Sequence, residues 1–340
     1  MKKIKVAQIG VLHEHAPGKM YTLRKLPEVF DLVGVVDDRP FSTTPNFGAD
    51  LERPYEGVKR LTLDEVLSDP ELEAVTVEVP NNELVPMAMR CAERGLAIHM
   101  DKPAGEDLEL YRKLLDLCKA KHLPFQMGFM FRGNPAFQFV RRAIRNRWIG
   151  DVCEMELDMN HCYGGEAYQE YLACFSGGIM FNLGCHLVDF VVSAIGRPSK
   201  VTPFLQNASG DAAKVRNNCL AVLEYPNTAV TLRACSRCGG TNTFDRRLRV
   251  VGTKGSIFFS PVERFDGKSV EIELALAEDA AGFPAGRHTL RTPPQNDRYA
   301  DQLLEWARVI RGEIESPYPY EHDYLVHEVT LAAAGYNQWR

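Results

Sequence analysis

The sequence predicts a doubly wound parallel α/β sheet followed by an α+β domain on a large, mostly antiparallel open sheet. Three observations carry this expectation. Over residues 1–125, short β-rich runs alternate with helical patterns, the rhythm of βαβ units. After about residue 130, strand candidates follow one another with few helices between them. A chain of 340 residues is also too long for one typical domain and suits two.

Lys3–Ile9 reads as the first strand. It looks briefly like a signal peptide, but its apolar run is broken by Gln8 and followed by His13, Glu14 and His15, so it reads as a strand. Gly18–Leu26 reads as a helix and Leu32–Val36 as a strand, and the Pro- and Gly-rich residues 39–57 read as a loop. Thr62 with Glu65 is a capping-box signature opening a short helix. Ala74–Val79, Ala97–Met100 and Pro124–Gly128 are expected strands, with Glu83–Arg94 and Glu106–Lys121 as helices between them. Beyond them, Cys153, Met155, Leu157 and Met159 alternate with Glu154, Glu156, Asp158 and Asn160, a strand with one wet face. Leu220–Tyr225, Ala229–Cys235, Leu248–Val251, Ser256–Phe259 and Val270–Leu276 read similarly, and helices return at Ala136–Arg147, Gly184–Ile195, Asp297–Arg311 and His322–Asn337. The expected division is therefore 1–125 and 126–340.

Composition narrows the function classes. The chain is 45% hydrophobic and 25% charged, close to the average for soluble proteins. With 40 Lys plus Arg against 45 Asp plus Glu, the formal charge of −5 offers no electrostatic case for nucleic acid or an anionic membrane. No apolar run approaches the ~20 residues of a membrane span. Nine scattered cysteines fit a reducing cytoplasm better than a disulfide framework. Cys235 and Cys238 have C-x-x-C spacing without a second pair, and His161, Cys162, Cys174, Cys185 and His186 are dispersed, so no metal site is expected. The cluster Arg141, Arg142, Arg145 and Arg147 reads as a solvated helix face.

Four stretches could carry chemistry. The first strand–helix turn, Gly10-Val11-Leu12-His13-Glu14-His15, keeps only the first glycine of G-x-G-x-x-G. It is either an ordinary βα turn or a pyrophosphate cradle at a helix N-terminus, with His13 available to touch phosphate. Asp37 and Asp38 end the second strand, where a carboxylate accepts from adenosine ribose hydroxyls and repels a 2′-phosphate. That favours NAD over NADP, although Arg39 could pair with the phosphate. Asp101-Lys102-Pro103 follows a strand end, where open α/β sheets bind ligands. In Gly177–Asp189, residues Asn182, His186 and Asp189 are spaced four and three apart, one face of a helix.

Together these residues resemble the glucose–fructose oxidoreductase, inositol dehydrogenase and rhizopine-catabolism (Gfo/Idh/MocA) family over essentially the whole chain. The family's T-P-N-x-x-H is matched at Pro80 and Asn81, and its E-K-P by Asp101-Lys102-Pro103. Its G-G-x-x-x-D-x-G-x-H-x-x-D is matched by Gly177 through Asp189, with Asn182 replacing the first Asp. Gln126–Arg132 with Asn134-Pro135 looks like the family's interdomain connection.

The resemblance implies an N-terminal Rossmann domain and an NAD-dependent dehydrogenase acting on a sugar, polyol or glycoside. It implies catalytic roles for Lys102, which orients the reacting hydroxyl, and His186, which receives its proton. Gly10, Leu12, His13, Asp37, Asp38, Pro80, Asn81, Asp101 and Lys102 would bind cofactor. Asn182, Asp189, Arg132, His161 and Tyr163 would contact substrate. It further implies a homodimer or homotetramer through the open sheet face. Two other activities occur among relatives: an NAD-retaining glycosidase or lyase using transient sugar oxidation, and a non-catalytic dinucleotide or sugar sensor.

Overall fold

The computed structural model describes residues 2–44, 50–162, 165–208, 214–238, 246–264 and 266–339. The chain forms two compact units, Met1–Phe129 with Tyr299–His327, and Met130–Arg298 with Glu328–Arg340. The first division falls at 129/130 rather than 125, and the segment 299–327, expected in the second domain, belongs to the first unit.

In the first unit the predicted alternation becomes β1 (Ile4–Ile9), α1 (Ala16–Lys25), β2 (Phe30–Val36), β3 (Arg60–Leu61), α2 (Leu63–Ser68), β4 (Ala74–Val77), α3 (Leu84–Arg94), β5 (Ala97–Met100), α4 (Leu108–Ala120) and β6 (Phe125–Met127). The strands lie in the order β3-β2-β1-β4-β5-β6, and every pair is parallel. β4 and β5 are buried along their whole length, as strands of a parallel sheet covered on both faces are. At α2 the Thr62 hydroxyl accepts from the Glu65 N–H while the Glu65 carboxylate accepts from the Thr62 N–H, completing the predicted capping box.

The strand order reverses between β1 and β4, so the loops leaving their carboxyl ends diverge and open a crevice. Gly10 turns the chain there at φ +102, and a Cβ on it would lie 2.5 Å from the Glu78 carbonyl carbon and oxygen. Only glycine satisfies both conditions.

The second unit carries α5 (Pro135–Arg145), β7 (Val152–Met159), α6 (Gly165–Ala173), α7 (Cys185–Ile195) and the strands β8 (Lys200–Gln206), β9 (Asn218–Tyr225), β10 (Thr228–Cys235), β11 (Arg246–Gly252), β12 (Gly255–Phe259), β13 (Glu271–Leu276) and β14 (Gly286–Arg291). They form one eight-stranded sheet, β14-β13-β12-β11-β7-β10-β9-β8, antiparallel except for β7 beside β10. Met155, Leu157 and Met159 are buried on one face of β7. On the other face Glu154 and Glu156 pair with Arg249 of β11.

The chain ends in α8 (Ala300–Ile310) and α9 (Tyr320–Ala333). Leu303, Trp306 and Ala307 of α8 enter one apolar cluster with Ile4, Val6, Leu23, Val29 and Phe30, which is why this segment returns to the first unit. No helix of the described residues is long and apolar enough to cross a membrane.

Gly10→Ala is expected to lower unfolding stability by about 3 kcal/mol, from the left-handed φ and the collision with Glu78. Urea denaturation checks this, and a loss under about 1 kcal/mol would mean that the turn relaxes freely.

Candidate functional site

The loops after β1, β4 and β5, with α1 and the ends of β5 and β6, bring a cluster of polar and ionisable side chains together in the first unit. Lys19, on the first turns of α1, is completely buried. Its ammonium donates to Glu78 Oε1 at 3.2 Å and Asp101 Oδ2 at 3.0 Å, and also to His99 Nε2. His99 Nδ1 donates in turn to Gln126 Oε1 at 2.9 Å, which leaves Nε2 as the acceptor that Lys19 needs. Asp101 Oδ1 accepts from His15 Nδ1 at 3.0 Å and from the Lys102 N–H at 2.7 Å. Lys102 Nζ donates to Glu14 Oε1 at 2.8 Å.

His13 faces into the protein. Its Nδ1 accepts from the His15 N–H at 3.1 Å, so Nε2 carries the hydrogen and donates toward Asn81 Oδ1 at 3.0 Å and the Lys102 carbonyl at 3.2 Å. The predicted residues His13, Asn81, Asp101 and Lys102 are thus brought together. Pro80 is buried beside Asn81.

Burial and charge divide the titrations. Burial would raise the Asp101 carboxyl, but His15, Lys19 and His13 outweigh it and hold it well below the carboxylate range. Burial likewise opposes ionisation of Glu14, and Lys102 with the two histidines overcomes it, so Glu14 titrates low. Glu78 goes the other way: burial raises it, and Lys19 only partly offsets this. Burial lowers His13 to about 4, against the pull of Asp101.

His13, His15 and Asp101 also offer three metal-ligand atoms within 4.8 Å of one another. The Lys19 ammonium already stands 3.0 Å from Asp101 as its countercharge, so the carboxylate is neutralised by the protein itself.

Leu12 does not stand in the crevice. Its side chain packs with Val11, Met20, Val35 and Tyr55, so the lost second glycine costs no space on the turn's outer side. His15, at the third glycine position, is fastened to Asp101. Gly18 is required instead, because a Cβ there would lie 2.3 Å from the Tyr299 ring.

Of the two carboxylates after β2, Asp37 is clamped by Arg39 and touched by Arg60. The Arg39 hydrogen bonds hold its carboxyl below its usual range. Asp38 is buried, its Oδ1 accepts from the Val11 N–H at 2.8 Å, and its Oδ2 has no hydrogen-bond partner among the described residues. Desolvation pushes it up to about 6.

In the second unit Asn182 lies in a π-helical turn, Met180–Gly184, that leads into α7 and the buried His186 and Asp189. Asn182 Nδ2 donates to Tyr168 Oη at 2.7 Å, and His161 Nε2 lies 3.2 Å from the same oxygen. Asp189 Oδ1 accepts from Arg132 Nε at 3.0 Å and Nη2 at 2.6 Å, a buried ion pair. The His186 ring stands 5.5 Å from that of Phe131. Tyr163 lies outside the described residues, as do residues 45–49 of the loop after β2.

Three side chains here were not singled out from the sequence. Glu14 and Lys19 lie in or just after the β1–α1 turn, and their signal was a pair of charges beside an apolar strand. Tyr168 lies on α6, a helix that was not predicted, so nothing local marked it as the link between His161 and Asn182.

Residues 4–129 match a family described as an oxidoreductase family with an NAD-binding Rossmann fold, and residues 137–258 match the GFO/IDH/MocA C-terminal domain. Inositol 2-dehydrogenase of Rhizobium meliloti is 26% identical over 289 residues, 84% of this chain and 82% of that protein. An uncharacterized oxidoreductase of Schizosaccharomyces pombe is 25% identical over 247 residues, and the match spans 64% of its length. The crystal structure of a levoglucosan dehydrogenase in complex with NADH and levoglucosan superposes with a TM-score of 0.79, at 17% identity, over 98% of this chain and 97% of that one; this likeness is one of fold.

The buried His13 sets a pH dependence. Its folded value of about 4 lies below its ordinary 6.5, so its contribution to stability is full above pH 6.5 and is lost as pH falls toward 4. Unfolding free energy should drop by about 2 kcal/mol between roughly pH 7 and pH 4.5 through this group. His13→Asn should remove that part of the slope in urea titrations, and an unchanged slope would assign the proton uptake elsewhere.

Proposed function

The chain belongs to the GFO/IDH/MocA oxidoreductase family, whose first domain is an NAD-binding Rossmann fold, and on that premise we propose that it transfers a hydride between a sugar, polyol or glycoside hydroxyl carbon and NAD. The observation that carries the reading is the position of Lys102. It stands at the carboxyl end of β5, tied through Glu14 to the β1–α1 turn at the sheet's switch point, where α/β sheets take nucleotides. Relatives named for inositol and levoglucosan support a polyhydroxyl substrate.

The residues present fit the cofactor. Asp38 Oδ2 is a buried acceptor with no donor among the described residues, as an adenosine ribose hydroxyl requires. Asp37 beside it is clamped by Arg39, so the preference for NAD over NADP rests on the Asp38 carboxylate. Gly10 and the N-terminus of α1 would hold the pyrophosphate, and Pro80, Asn81 and Asp101 would wall the nicotinamide. When bound, the nicotinamide exchanges a hydride with the substrate carbon.

Lys102 donates to the reacting hydroxyl oxygen and stabilises the negative charge that grows there. His186 takes the hydroxyl proton. Asn182 cannot carry that proton, and it hydrogen-bonds substrate hydroxyls, held in place by the Tyr168 hydroxyl, which His161 also meets. Arg132 and Asp189 engage each other, and their pairing braces the start of α7, which carries His186. On the wet face of the second sheet the half-exposed Phe204 lies opposite Leu220, beside Val222, an apolar strip that supports self-association as a dimer or tetramer.

Titrating the purified chain with NAD and with NADP, followed by fluorescence, should give saturable binding with NAD preferred; no binding of either would defeat the reading. With a substrate found by screening sugars, polyols and glycosides, His186→Ala should lower kcat by roughly 10²–10⁴-fold. Near-normal turnover would remove His186 as the base. Asn182→Ala should chiefly raise KM. Sedimentation should give a mass of two or four chains, and a monomer would remove the sheet-face assembly.

A further inference from the structure

We propose that Glu14 is a positioning residue that fixes the Lys102 ammonium and cancels its charge toward an oxidised, cationic nicotinamide ring. The inference rests on the oxidoreductase reading above and concerns two residues of the first unit.

Lys19 and Lys102 are both buried ammonium groups among the described residues of this unit. Lys19 spends all three donors on Glu78, His99 and Asp101, which makes it a fixed part of the scaffold. Lys102 is held at Nζ by Glu14, across 88 residues of sequence, from a turn otherwise suited to phosphate. A carboxylate in such a turn repels a pyrophosphate bound beside it, although the helix N-terminus itself favours an anion. The cost is offset only if the charge is used. The Lys102 ammonium lies 2.8 Å away, Lys102 is fully buried, and the Glu14 side chain is 8% exposed, so the pair is largely shielded from water.

Neutralisation matters because the cofactor changes charge. The oxidised nicotinamide ring is a cation and the reduced ring is neutral. A bare ammonium beside it would repel the oxidised form selectively, by an amount that grows in a low-dielectric site. Paired with Glu14, Lys102 keeps a directed N–H for the substrate oxygen while presenting little net charge to the ring. His15 Nε2 lies 3.6 Å from the same Glu14 oxygen that takes Lys102.

The test is the ratio of dissociation constants for NAD+ and NADH, measured by fluorescence and calorimetry on the full chain without substrate. Glu14→Gln should raise the NAD+/NADH ratio on the order of tenfold, and Glu14→Asp should bring it back toward that of the unmodified chain. Lys102→Met should move it in the opposite direction, since the carboxylate then faces the ring alone. A purely structural role for Glu14 would weaken both nucleotides alike. Should Glu14→Gln fail to fold, the Glu14→Asp and Lys102→Met ratios decide. Ratios within twofold of the unmodified chain in every folded variant would overturn the proposal while leaving the oxidoreductase reading intact. Absence of nucleotide binding by the unmodified chain would overturn both.

Discussion

A lysine with no exposed surface anchors the nucleotide side of this protein. Lys19 reaches from α1 to the ends of β4 and β5, where Glu78, His99 and Asp101 meet its ammonium. Burying such a charge costs several kcal/mol per ion unless every donor is satisfied, and here each is. Truncating a buried ion pair on one side typically costs more than the pair contributes, because the remaining charge is stranded. The interaction therefore locks three chain segments whose loops hold the candidate site. Asp101 is its pivot: one carboxylate oxygen takes Lys19, and the other takes His15 and the Lys102 N–H.

Seen from that anchor, departures from the family pattern are linked. The third glycine of the β1–α1 turn is His15, and the acid before Lys102 is Asp rather than Glu; the structure joins these two residues by a hydrogen bond of 3.0 Å. Leu12, in place of the second glycine, turns its side chain into an apolar cluster behind the turn. The cavity-side backbone is not obstructed by a side chain that is buried elsewhere. In the second unit Asn182 replaces an acid, and Tyr168 supplies a hydroxyl to its amide. A neutral amide and a neutral phenol bond without the desolvation cost that a buried carboxylate would carry.

Local rules were sufficient where an element is made by its own residues. The buried apolar runs of β1, β4 and β5 and the Thr62–Glu65 capping box stand where periodicity and capping place them. They failed where an element exists through its neighbours. β3 has two residues, β8 contains Pro203, and β14 is a polar edge strand without apolar alternation, so each is a strand only because an adjacent strand pairs with it. α6 has a weakly amphipathic sequence and gave no periodic signal. The return of 299–327 to the first unit was illegible for the same reason: Trp306 shows an apolar surface, but not which core will receive it.

The candidate site divides along the same line. The sequence by itself determined the two-part α/β and antiparallel architecture, and it offered the candidate residues that lie on strand ends and in spaced motifs, namely Gly10, Asp37, Asp38, Lys102 and His186. Only the tertiary structure decided their partners: Glu14 for Lys102, Lys19 for Asp101, Tyr168 for Asn182, and Arg132 for Asp189. The reason is physical. Periodicity and turn chemistry are short-range properties, readable within a few residues. The state of a buried charge is set instead by whichever groups the fold brings within about 3–4 Å, and these lie up to 88 residues away along the chain.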